Sequence, residues 1–105
     1  MIKPTSKTQE NVLTGIINER KRQDAKWGIQ NHDPFKWLTI LTEEVGEAAK
    51  AILEGDLIEY IKEMKQVAAV AVAALECIGR NPPDSIESLT KYQLELKKGQ
   101  ERRKQ

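Results

Sequence analysis

Several kinds of residue are scarce in this 105-residue chain, and each shortage excludes a class of structure. There is one cysteine, so no internal disulfide can form. Cys77 sits in an apolar run, which predicts a buried, inert thiol and suits a reducing compartment. Four prolines, six glycines and 5% aromatic residues leave few breaks and little of the material that favours strands. No strand alternation, internal repeat or low-complexity tract is visible. Long apolar runs are missing too. The longest, Val67 to Leu75, falls far short of the roughly 20 residues that span a bilayer. Met1-Ile2-Lys3-Pro4-Thr5-Ser6 lacks the apolar core of a signal peptide. A net charge of only +1 gives no basic field for a nucleic-acid polymer. These absences together predict a soluble cytoplasmic protein with one all-α domain over residues 1–96 and a polar, frayed tail over 97–105.

The residues that are present read as four helices. The first is expected from about Lys7 to Lys26, with Ser6 and Gln9 as a capping box and Val12, Leu13, Ile16 and Ile17 as its apolar stripe. Gly28 ends it. Asp33 then caps a second helix with Pro34 at its first position, where a missing N–H costs nothing. Leu38, Leu41, Val45, Ala48, Ala49 and Ile52 carry the helical period to about Glu54, before Gly55. Asp56 and Glu59 open a third helix, Leu57 to about Ile78. From Val67 onward it is apolar on every face except at Glu76. A helix that is apolar all round must be covered on all sides, so a subunit interface is expected. Gly79-Arg80-Asn81-Pro82-Pro83 breaks the chain. Asp84 and Glu87 start a fourth helix, with Ile86, Leu89, Tyr92, Leu94 and Leu96 as packing residues.

The chemistry lies in Glu43-Glu44-Val45-Gly46-Glu47 and Glu63-Met64-Lys65-Gln66. Glu43, Glu44 and Glu47 share an arc of roughly 100° beside the apolar stripe of the second helix. Glu63 and Gln66 share a face of the third, with Glu59 one turn earlier. An antiparallel pairing across Gly55-Asp56 brings the two clusters together. Carboxylates at a core edge need a cation or another neutralising partner. Side chains that offer only oxygen suit a hard cation, Mg²⁺ or Mn²⁺. A solvated acidic face is the alternative.

The pattern Glu-Glu-x-x-Glu, 15 intervening residues, then Glu-x-x-Gln resembles the metal signature of the MazG-like all-α nucleoside triphosphate pyrophosphohydrolases. Arg22-Gln23-Asp24-Ala25-Lys26-Trp27-Gly28, Asn31-His32-Asp33-Pro34, Leu41 to Glu47 and Gln66 to Ala73 resemble phage and bacterial single-module members, over roughly Glu19 to Arg80. The resemblance implies a four-helix MazG-like bundle completed by oligomerisation, as a dimer or tetramer. It also implies Mg²⁺-dependent hydrolysis of a (d)NTP to (d)NMP and pyrophosphate, serving nucleotide-pool house-cleaning. Glu44, Glu47 and Glu63 match metal ligands, and Glu43 matches the carboxylate that orients or deprotonates the attacking water.

Gln66 departs from the family pattern, which has Asp there. It leaves three arrangements open: ligation through its carbonyl oxygen, a place just behind the ligands, or a metal that binds only with substrate. Gln23, Lys26, Trp27, His32 and Lys62 are the candidate substrate contacts, with Trp27 able to stack on a base. Packing or surface roles are the alternatives for these residues. Arg20, Arg22 and Lys65 are further cations within reach of a triphosphate. Two other functions fit the same scaffold: a nucleotide-binding or helical interaction protein that has lost turnover, and a phosphoribosyl-ATP pyrophosphohydrolase. A di-iron bundle would need Glu-x-x-His pairs, and no predicted helix carries a histidine.

Overall fold

The computed structural model describes residues 6–81 and 86–104, which form four helices. The first three begin as the capping residues dictate. Ser6 Oγ accepts from the Gln9 amide at 3.1 Å and starts α1, Lys7–Trp27. Asp33 Oδ1 accepts from the Lys36 amide at 2.9 Å, with Pro34 next, and starts α2, Pro34–Leu53. Asp56 Oδ1 accepts from the Glu59 amide at 3.0 Å and starts α3, Leu57–Arg80. Each cap satisfies a backbone N–H that has no partner within the helix, worth about 1 kcal/mol. Gly28 and Gly55 end α1 and α2 at φ of 74° and 76°, in the left-handed region that favours glycine. The last helix, α4, covers Ile86–Lys104 and so continues through the tail expected to fray. Its expected start at Asp84 lies outside the described residues.

α3 is the central element. The three-residue turn Glu54-Gly55-Asp56 folds α2 back antiparallel along it. α1 runs parallel to α3: Gly15 lies against the Lys65 side chain near one end, and Arg20 reaches Glu76 further along. The buried residues of α2 and α3 are mostly small: Ala48, Ala51, Ala69 and Ala73, joined by Trp37, Val70 and Cys77. Small side chains let two helices approach closely. Ala69 has no exposed surface. Enlarging it forces the helices apart, so Ala69→Leu is expected to cost about 1–3 kcal/mol and lower the melting midpoint by roughly 10 °C.

The face of α2 that packs inward is not the one with the longest apolar stripe. Trp37, Ala48 and Ala51 are buried and Ile40 and Leu41 partly so, whereas Leu38, Val45, Ala49 and Ile52 stay exposed. α2 therefore carries two apolar faces, and α3 covers only one. Leu53, Leu57 and Ile58 at the α2–α3 turn are largely exposed, as are Val12 and Ile17 on α1 and Leu75 on α3. Of the packing residues expected on the last helix, Leu94 and Leu96 are exposed; the side chains of Ile86, Leu89 and Tyr92 lie outside those described. α4 meets the rest of the fold where buried Gly99 lies beside the Phe35 ring. Among the described residues no helix is long and apolar enough to cross a membrane.

Candidate functional site

The antiparallel α2–α3 pairing sets Glu44 of α2 against Glu63 and Gln66 of α3. With its amide nitrogen turned toward the carboxylates, Gln66 donates to Glu44 Oε2 at 2.8 Å and Glu63 Oε2 at 3.1 Å. Turned the other way, Gln66 offers its carbonyl oxygen to the same point. Glu63 is only 8% exposed. Burial, then hydrogen bonds with Glu44 and Glu59, then their charges push its carboxyl up to about 7. No ion pair reaches Glu63 among the described residues, so burial and repulsion go uncompensated by a basic group.

The outer carboxylates of the cluster stand apart. Glu43 and Glu47 are exposed on α2, Glu47 one turn beyond Glu44. Among the described residues no three carboxylate, imidazole or thiol groups are gathered into a ready-made metal cage. The donor set still fits a hard cation of the Mg²⁺ type. Such an ion keeps several waters and takes one or two carboxylates, with phosphate oxygens completing its shell. Glu44 and Glu63 would supply the carboxylates to such an ion, and Gln66 an amide oxygen.

Glu44 and Gln66 also border a cleft of about 430 Å³. Along α3 the cleft runs from Gln66 past Val70 and Ala73 to Arg80, about 21 Å of helix axis at 1.5 Å per residue. Its opposite wall is α1, where Arg20, Gln23, Asp24 and Trp27 fall on one face at offsets of three, four and seven. Four cationic side chains line it (Arg20, Arg22, Lys26 and Arg80) against the carboxylates of Asp24 and Glu44, a balance that suits a polyanion. Two of these cations are already paired with carboxylates. Arg22 grips Glu19 at 2.6 Å, and that hydrogen bond, opposed by burial, holds the Glu19 carboxyl below its ordinary range. Arg20 reaches Glu76 at 2.6 Å, Asp24 at 2.9 Å and Gln23 at 3.0 Å. Lys26 lies over the Trp27 ring, 4.8 Å from its centroid.

The structure thus gathers Gln23, Lys26, Trp27, Glu44 and Gln66 around one cleft, with Glu63 behind the last two. Lys62 and His32 do not line it. Lys62 acts on Glu19, on the α1 side of α3. His32 packs edge-on against Trp37 at 4.9 Å and borders a separate apolar groove with Leu38, Leu41 and Leu75. Glu76, the polar break in the apolar part of α3, pairs with Arg20 of α1. Sequence reasoning also missed Arg80, Gln30 and Trp37 as cleft residues. Arg80 donates to the Gln30 carbonyl at 3.0 Å and Asn31 Oδ1 at 3.3 Å, tying the α1–α2 loop to the end of α3. Trp37 Nε1 is buried without a hydrogen-bond partner among the described residues. Only the fold could reveal these three. No family model, curated protein or solved structure matches the chain.

Proposed function

We propose that this protein is a Mg²⁺-dependent nucleoside triphosphate pyrophosphohydrolase that converts a (d)NTP to its monophosphate and pyrophosphate, in nucleotide-pool house-cleaning. One observation carries the reading: a buried Glu63 held against Glu44 and Gln66 with no basic partner among the described residues, at the edge of a cleft richer in cations than carboxylates. Glu44, Glu47, Glu63 and Gln66 are the candidate metal-holding residues. A bound divalent ion, Mg²⁺ or Mn²⁺, supplies charge neutralisation for the phosphate oxygens and lowers the pKa of a coordinated water.

The chain's own groups do the rest. Glu43, exposed one position before Glu44, accepts the proton of the attacking water. Lys26 and Arg80 add positive charge at the Trp27 end of the cleft, while Arg20 ties the α1 wall to α3 through Glu76. Trp27, 61% exposed, presents a ring face on which a base can stack. His32 and Lys62 enter this reading only if the phosphates or base extend beyond the cleft. The uncovered apolar face of α2 and the exposed Leu75 suit self-association as a dimer or tetramer that completes the bundle.

The second reading, nucleotide binding without turnover, is favoured by Gln66, whose amide can neutralise the two carboxylates without a metal. Pyrophosphate release from a panel of dNTPs, with Mg²⁺ and with EDTA, decides between them. Metal-dependent release is expected. Saturable nucleotide binding with no pyrophosphate formed would establish the second reading instead.

A further inference from the structure

We propose that Asp24 sets base preference in the cleft. On this view it accepts a hydrogen bond from the exocyclic amine of a base stacked on Trp27, so amine-bearing bases are preferred to thymine and uracil. The inference rests on the nucleotide reading of the cleft and adds what that reading leaves open.

Asp24 is not a free surface carboxylate. Arg20, with a side chain only 12% exposed, is anchored to α3 by Glu76 and donates to Asp24 Oδ1 at 2.9 Å. That bond fixes the carboxylate's direction and offsets its charge beside an anionic ligand. Its second oxygen has no donor among the described residues, and the side chain is 42% exposed within the cleft. Trp27 follows three residues later on the same face of α1. Lys26 lies over the indole ring, and Trp27 is 61% exposed. Trp27, Gly28 and Gln30 gather with Arg80 at the end of the cleft remote from Gln66, so phosphates at Glu44 and Gln66 direct the base toward Asp24.

The chemistry then discriminates. Adenine, cytosine and guanine each carry an amine that donates to a carboxylate oxygen. Thymine and uracil flank their single N–H with two carbonyls, which a carboxylate repels. A hydrogen bond to a charged group in a partly dry cleft supports a preference of about tenfold or more.

The test compares kcat/KM for dATP, dCTP, dGTP, dTTP and dUTP between the wild type and Asp24→Asn. The same ranking is measured as Kd by tryptophan quenching with non-hydrolysable analogues. Wild type should favour the three amine-bearing nucleotides by about tenfold. Asp24→Asn keeps an oxygen for Arg20 and turns an N–H₂ toward the base, so it should abolish or invert the preference with an unchanged melting midpoint. Equal wild-type constants across the panel, or a uniform loss in the variant, would overturn the inference. Absence of turnover with the ranking intact in Kd would overturn only the hydrolytic reading.

Discussion

Glu44→Ala is expected to lower Mg²⁺-dependent pyrophosphate release by about 10³-fold or more, with no loss of folding stability. Among the described residues, Glu44 is the one carboxylate that both meets Glu63 and borders the cleft. Removing it takes a ligand from any bound cation and weakens the stabilisation of charge on the phosphates, worth several kcal/mol at about 1.4 kcal/mol per tenfold in rate. The same change removes a repulsive neighbour from Glu63, so the melting midpoint should hold steady or rise. A structural carboxylate behaves oppositely, with activity falling only because the protein unfolds. Steady-state rates and thermal melts on the same preparation separate the two. A Glu44→Ala protein within about tenfold of wild type would sink the assignment of this cluster to the reaction. Glu47→Ala should lose less, because Glu47 lies outside the hydrogen-bonded group.

Without metal, the protein should be more stable at pH 5 than at pH 8, and Glu63→Gln should remove most of that difference. The Glu63 carboxyl titrates at about 7 in the fold, against 4.5 for an unperturbed glutamate. A raised carboxyl pKa means the folded state holds the proton more tightly than the unfolded chain. That contribution is fully present below about 4.5 and is lost as pH rises through about 7. The amount is on the order of 3 kcal/mol, which corresponds to a shift of roughly 10 °C or more in the melting midpoint. A neutral amide at position 63 neither ionises nor repels its neighbours, so the variant's metal-free melt should be nearly flat across this range. Mg²⁺ should restore wild-type stability at pH 8 and leave Glu63→Gln little changed. Identical melts at pH 5 and pH 8 in EDTA would show that the cluster is relieved in some other way.

These two outcomes depend on a juxtaposition that the sequence only half reveals. The helical spacing of Glu43, Glu44 and Glu47, and of Glu59, Glu63 and Gln66, is readable as two clusters on neighbouring helices. Their relative register is not, since one turn of slip along α2 would bring Glu47 to Glu63 in place of Glu44. Similar reasoning applies to Arg20 and Glu76, 56 residues apart, which periodicity cannot pair. The inward face of α2 was misleading for a different reason. Leu38, Val45 and Ile52 make the stronger apolar stripe, yet Ala48 and Ala51 permit the closer approach to α3.

What the sequence determined by itself is local. Ser6, Asp33 and Asp56 start three helices and Gly28 and Gly55 end two, because a cap acts within three or four residues of backbone and needs nothing from the rest of the chain. The tertiary structure decided which carboxylates meet, which arginine holds α1 to α3, and where the cleft opens. Those choices follow from the depth and register at which small buried alanines let the helices pack, a property of two surfaces together rather than of either segment alone.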